Sequence, residues 1–339
     1  MNGEDDFLEF DEYDDYRVFS PDDEDDDDLE TPVAENKPAI GEVIGHLQSG
    51  DLRYADLSGF SDLSAADLET LAAGWDVIQP ELRASVVREA SDIASDNVFL
   101  EFSRFFLLAS HDDDAIVRQL AVQALGIPLG EGVELRLIEV LERDPEDDVR
   151  VAAATSLGPW AEYAEMEDTG PDLRDAIASA LFGVAERESE SWHLRRRAAE
   201  SAAIFGPHER VNRLIQQMYD EDENGLRASA LYSAGRANQR QWLPVVLEEL
   251  TNEDAELRFE AARAAGAFGD VDALPTLSEL AKDDEDTDVR HAAIMAIGEI
   301  GGRGAIRILN RLAEMAPEGD EEVIDLALIE ASLDDSPFA

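Results

Sequence analysis

The sequence predicts an all-α superhelix, a solenoid of stacked helical hairpins preceded by an acidic, disordered N-terminal tail. Three observations carry that expectation. A block of small and apolar residues recurs six times along the chain. Within each block the apolar positions follow a helical period. The apolar fraction is 44%, much of it Ala and Leu with only 7% aromatic residues, the bias of closely packed helices. At 339 residues two domains would be the ordinary expectation, but repeat proteins grow along one axis and need no single core.

In chain order, the tail comes first. From Glu4 to about Glu35 the chain is dominated by Asp and Glu, culminating in Asp22 to Asp28, where self-repulsion and the lack of apolar residues prevent a core. Residues 1–38 are therefore expected to be disordered. Phe7, Leu8, Phe10, Tyr13, Tyr16, Val18 and Phe19 punctuate the first half, a mixture suited either to keeping the protein soluble or to serving as a peptide ligand for a basic groove. Asp22 to Asp28 lacks the Gly turn and spaced ligands of an EF-hand loop. Residues 39–111 read as a degenerate helical cap: Ile40 to Leu57 as one helix, then periodic runs through Leu68, Leu71, Leu82 and Val86 and through Phe99, Phe102, Phe105 and Phe106.

The repeats occupy 112–333. Six segments align without gaps on Arg118, Arg150, Arg195, Arg227, Arg258 and Arg290. One residue earlier stands Val117, Val149, Leu194, Leu226, Leu257 or Val289. Three later stands alanine: Ala121, Ala153, Ala198, Ala230, Ala261 and Ala293. Six later the residue is always Ala or Ser, and eight later stand Gly126, Gly158, Gly235, Gly266 and Gly298, with Ala203 the exception. Positions −1, +3, +6 and +7 share one stripe of a helix, so this stripe is predicted to be buried, its small residues letting a neighbouring helix approach. The glycine is read as a left-handed helix terminator. Asp114, Glu146, Glu223, Asp254 and Asp286, four residues before the arginine, are read as acids at the helix start.

A second apolar-periodic run follows each glycine, as in Val133 to Glu142, Val211 to Tyr219, Trp242 to Leu250, Ala273 to Leu280 and Ala305 to Leu312, which makes helix–turn–helix the unit. The arginines are 31 or 32 residues apart except for one step of 45, ascribed to a turn-rich insertion at Pro159 to Pro171. The final unit, Glu322 to Leu333, places Ile324 where the arginine would stand, and 334–339 is expected to be disordered. Ankyrin and tetratricopeptide signatures are absent. The run Asp288-Val289-Arg290, Ala293, Ala296-Ile297-Gly298 resembles the short HEAT repeat of bacterial and archaeal proteins, the repeat also found in phycobilin lyases; it is more compact than the ordinary HEAT unit. That resemblance implies a curved, armadillo-like helical array with a partner-binding surface, and no catalytic residue can be carried over from it.

Candidate chemistry is sparse. The chain has no cysteine, which excludes thiolate sites and disulfides. His46, His111, His193, His208 and His291 show no metal-ligand spacing. No nucleophile elbow, P-loop or dinucleotide fingerprint appears. Neither an enzyme nor a cofactor is expected. The net charge of −52 repels phosphate backbones and anionic headgroups, so no nucleic acid and no membrane is expected as partner. The few lysines and many aspartates would suit a salt-loving host or reflect a GC-rich genome.

With no signal sequence or apolar span visible, a cytoplasmic monomer is the expectation. The arginine column is explained by pairing with carboxylates of its own or the adjacent repeat. Partner contact is expected at Trp160, Tyr163, Met166, Trp192, Arg196, Arg236 and Arg240, since aromatics and arginines often dominate interfaces; Tyr232 and Trp242 are read as core. The function these readings favour is a non-enzymatic protein–protein interaction scaffold or adaptor. The alternatives are a lyase-like protein acting on a tetrapyrrole chromophore and a regulatory subunit of a larger complex.

Overall fold

The computed structural model describes residues 37–97, 99–166, 171–221, 223–315 and 319–333. The expected acidic tail lies outside these residues except for its last two positions, as do residues 334–339. Apart from Lys37, the described residues belong to one compact unit that begins at Pro38. Among them there are eighteen α-helices, four short 3-10 turns and no strand.

The first five helices are α1 (Ile40–Gln48), α2 (Tyr54–Leu57), α3 (Ala65–Trp75), α4 (Pro80–Asp96) and α5 (Ser103–Ala109). Ser64 and Asp67 form a capping box that starts α3, and Pro80 occupies the first turn of α4, where its missing N–H costs nothing. The rings of Phe60, Trp75 and Phe105 pack together with centroids 4.4 to 6.4 Å apart. Below them lies a buried ion pair, Arg83 Nη2 to Asp112 Oδ1 at 2.7 Å, whose second carboxylate oxygen accepts Trp75 Nε1 at 2.7 Å.

The repeats follow as α6 (Ala115–Ala124), α7 (Val133–Arg143), α8 (Asp147–Met166), α9 (Pro171–Ala185), α10 (Trp192–Ala202), α11 (Glu209–Tyr219), α12 (Asn224–Arg236) and α13 (Leu243–Glu249). They continue with α14 (Ala255–Phe268), α15 (Leu274–Asp283), α16 (Thr287–Ile300), α17 (Gly302–Ala313) and α18 (Glu321–Leu333). The six arginines sit on α6, α8, α10, α12, α14 and α16. Their +3 alanines are all fully buried, at 0% exposure, as the periodicity requires. Asp114, Asp254 and Asp286 each accept two backbone N–H groups at the start of their helices, satisfying donors that have no partner within the helix. Glu146 and Glu223 hold the same position, but the longer side chain of Glu223 makes no such bond.

The structure divides Ile40 to Leu57, read as one helix, into α1 and α2 with a turn through Gly50 (φ 80) between them, and it corrects three readings of the repeats. The column glycines do not terminate their helices: none has a positive φ, and Gly158, Gly235, Gly266 and Gly298 lie inside theirs. Their role is close approach. A Cβ on Gly235 would come within 2.8 Å of Ala264 Cα, one on Gly266 within 2.9 Å of Ala296 Cα, and one on Gly298 within 2.8 Å of the Ala327 carbonyl oxygen. Each glycine thus receives the small +6 residue of the next repeat, and left-handed closure falls three residues later, at Gly269 (φ 62) and Gly301 (φ 66).

The second correction concerns Pro159 to Pro171. This stretch is mostly helix, because α8 runs unbroken through Pro159 to Met166. Proline forgoes one intrahelical bond, while Trp160, Ala161 and Ala164 continue the buried stripe and hold the helix together. Residues 167–170 lie outside the described set. The third correction is one of register. Gly298 meets Ala327, so Ala327 takes the +6 place and buried Ile324 the +3 place; the last helix is set three residues earlier than an alignment of Ile324 with the arginines implies.

Successive arginine-bearing helices contact one another more extensively than the helices between them do. Small residues shorten the spacing in that layer, and a layer with shorter spacing forms the inner side of a curved stack.

Candidate interaction surface

The arginine column is a ladder of internal ties. Arg118 makes a bidentate pair with Asp144, at 2.9 and 3.0 Å, and donates to the carbonyls of Asp112 and Asp113. Arg258 repeats this with Asp284, at 2.8 Å twice, and with the carbonyls of Asn252 and Glu253. Arg150 reaches Glu190 at 2.7 Å, Arg227 pairs with Glu249, and Arg290 reaches Asp320 at 3.4 Å. Every one of these acids lies at or beside the turn leading into the next helix of the same layer, the last of them, Asp320, into α18. Among the described residues Arg195 has no such acid; it donates to the Ala185 carbonyl at 3.0 Å and lies over the Trp192 ring, 4.2 Å from its centroid.

The ties show in the protonation equilibria. The paired carboxylates raise the pKa of Arg118, Arg150 and Arg258, and the Arg150 guanidinium, helped by Arg187, lowers Glu190 to about 2.

A second set of side chains lies on α10, α12 and α14, at +1, +2, +5 or +9 from the column arginine of its helix. Arg196 and Arg197 grip Glu200 on α10, at 3.1 and 3.0 Å. On α14, Arg263 pairs with Glu260 at 3.3 Å and lies over the rings of Tyr232 and Phe259, 5.4 and 5.5 Å from their centroids. Arg236 donates to the Tyr232 hydroxyl at 3.1 Å and reaches Glu162 at 3.4 Å. The helical extension of α8 thus brings an acid to α12, beyond its neighbour α10. Burial pushes Glu260 up to about 7 against the pull of Arg263, with Glu200 and Glu256 adding repulsion. This belt of alternating charge and aromatic rings is only partly covered.

The expected contact residues divide. Trp160 is core: it is 4% exposed and its Nε1 donates to the Leu125 carbonyl at 2.9 Å. It is corrected as an anchor because α8 carries it into the buried stripe. Tyr163 packs edge-on against it and is 39% exposed, and Met166 is 81% exposed at the end of the extension. Arg196 and Arg236 belong to the inner belt. Trp192 stands apart under Arg195 at the start of α10, and Arg240 pairs with Asp270 at 3.3 Å near the turn before α13. Trp242 is buried, as expected, whereas Tyr232 is only half-buried and lies in the belt.

Sequence reasoning missed Glu200, Phe259, Glu260 and Arg263, although their shared +1, +2 and +5 offsets were available as a signal. It also missed Arg83, which ties α4 to the Asp112 turn as the column arginines tie theirs. Among the described residues no group of three or more His, Asp or Glu side chains is placed to hold a metal ion, and no helix is long and apolar enough to cross a membrane.

These features define a helical-repeat solenoid whose arginine helices line its inner face. The family model for HEAT repeats matches residues 134–235 and 243–331, and the chain belongs to the HEAT-repeat family. No curated protein matches it significantly. Among solved structures, the complex of CpcE and CpcF of phycocyanin lyase from Nostoc sp. PCC7120 is similar at 18% identity and a TM-score of 0.51, over 85% of this chain and 99% of that one. The Escherichia coli protein YibA is similar at 18% identity and a TM-score of 0.45, over 82% and 95%. Importin beta is similar at 13% identity and a TM-score of 0.42, over 86% of this chain and 41% of that one. The likeness to the CpcE and CpcF complex is one of fold.

Proposed function

We propose that this protein is a non-enzymatic interaction scaffold or adaptor that takes protein partners on its inner face. The observation that supports this most is the belt of Arg196, Glu200, Tyr232, Arg236, Glu260 and Arg263. These side chains lie outside the hydrophobic stripe that holds the array together, and aromatic and arginine side chains supply much of the binding energy at protein interfaces. Tyr163 and Met166 extend the surface at one end of the belt. The acidic remainder of the protein favours basic partners and disfavours nucleic acid and anionic membranes.

The test is affinity capture from native extract with Tyr232→Ala/Arg236→Ala/Arg263→Ala compared with the unaltered protein. Specific co-purifying proteins should be lost from the variant while its helicity is retained; an unchanged set would overturn the reading. A second reading, action on a tetrapyrrole chromophore, is supported by the fold shared with the phycocyanin lyase subunits. Mixing the protein with a bilin and an acceptor should then shift the absorbance, and no shift would count against it. A place as a regulatory subunit in a larger complex would use the same inner face.

A further inference from the structure

Two cavities flank the start of α5, away from the inner belt. One, of about 780 Å³, opens between α3, α5 and the turn before α7, with Leu68, Ala72, Leu107 and Leu108 in its wall. The other, of about 210 Å³, lies between the end of α4 and the α6–α7 turn, against Leu100, Phe106, Ile127 and Leu129. Glu101 and Ser103 line both, and Ser103 Oγ donates to the Leu129 carbonyl at 3.3 Å, so the two adjoin as lobes of a groove divided by that contact.

Its rim is unusually apolar. Ile127 and Leu129 are 47% and 58% exposed, and Phe99, adjoining the groove at Leu100, is 70% exposed. At the later hairpin turns the large apolar residues Phe205, Trp242 and Ile300 are buried, with Met166 and Val271 the exposed exceptions. The array therefore does not need exposed apolar turns to stack.

The charges in the lining select among occupants. Glu69, Glu101 and Glu131 face two basic residues, Arg104 and His111. Arg104 Nη1 is engaged by the Leu63 carbonyl at 2.6 Å. The pKa of His111 is lowered, first by burial and then by the Arg136 guanidinium, so the ring is neutral at pH 7. A net charge of −52 on each molecule opposes a second copy of the chain or an anionic bilayer.

We propose that this groove receives an amphipathic helix of a partner protein, one that seats an apolar side chain in each lobe and flanks them with lysine or arginine. Apolar anchors in an open groove with an oppositely charged rim are the physics of helix-in-groove recognition. The inference stands independently of the inner-face reading.

The test uses the full chain and a fluorescent synthetic helix with leucine on one face and lysine on the other, read by anisotropy at physiological salt. A scrambled peptide of the same composition and a glutamate-for-lysine peptide serve as comparisons. Leu129→Glu and, separately, Phe99→Glu should each weaken binding about tenfold, a loss of about 1.4 kcal/mol. Their melting should be unchanged, because both side chains point to water; Leu129→Ser replaces either one that fails to fold. Arg263→Ala, on the inner belt, should bind as the unaltered protein does. The proposal is overturned if the lysine helix does not bind or the scrambled or glutamate peptide binds as well. It is equally overturned if the groove variants bind undiminished, or if sedimentation shows a dimer that Leu129→Glu abolishes.

Discussion

Around α12 to α16 the helices meet through glycine and alanine, whereas around α3 to α5 they meet through phenylalanine, tryptophan and one buried ion pair. In the first region contact is made at backbone distance, so one added carbon has nowhere to go. In the second, bulky side chains fill the space and a single carboxylate, that of Asp112, holds together groups from α3 and α4. The two regions should fail differently: the cap when a partner is removed, the array when an atom is added.

Asp112→Ala should produce the largest effect, because it leaves the Arg83 guanidinium and Trp75 Nε1 buried without their acceptor. A loss of about 3 to 5 kcal/mol in denaturant unfolding is expected, and a loss below about 1 kcal/mol would show that the cap relaxes around the change. Gly235→Val should come next, at about 2 to 3 kcal/mol, since its Cβ would press on Ala264 Cα at 2.8 Å.

The third prediction concerns Glu260→Gln. A carboxyl raised to about 7 from its usual 4.5 imposes a cost on folding that is absent below the unfolded value and complete above the folded one. The variant should therefore be more stable by on the order of 1 to 3 kcal/mol at pH 8, and indistinguishable at pH 4, as measured by melting across pH. The smallest effect belongs to Gly183→Ala on α9. A Cβ there meets nothing within 4 Å, so helix propensity alone should raise stability by about 0.5 to 1 kcal/mol. Opposite signs for Gly235→Val and Gly183→Ala would establish that the close approach, and not glycine in a helix as such, distinguishes the array.

The same contrast explains what was legible in the sequence. The array was readable because backbone-distance packing tolerates only Ala, Ser and Gly, and that intolerance writes a column into each copy. The glycine's role was misread because a glycine near a helix end has two uses, close approach and left-handed closure, and composition does not separate them. Arg83 escaped notice because Val86 and Glu89 stand where the column has small residues. Pro159 suggested a break, but the buried residues after it outweigh one lost hydrogen bond. The groove beside α5 could not be foreseen, since it arises from the meeting of α3, α5 and the turn before α7, far apart in sequence.

Among the described residues, in five of the six repeats the arginine's carboxylate acceptor lies at or beside the turn that introduces the next helix of that layer, which is an arginine helix in four cases and α18 in the fifth. Each module therefore carries a hook for its successor and an eye for its predecessor. Where the ties match, as in the bidentate pairs Arg118–Asp144 and Arg258–Asp284, a whole module copied or deleted would rejoin hook to eye at the same geometry. The series stops at α18, which takes the Arg290 tie through Asp320 and offers no arginine of its own.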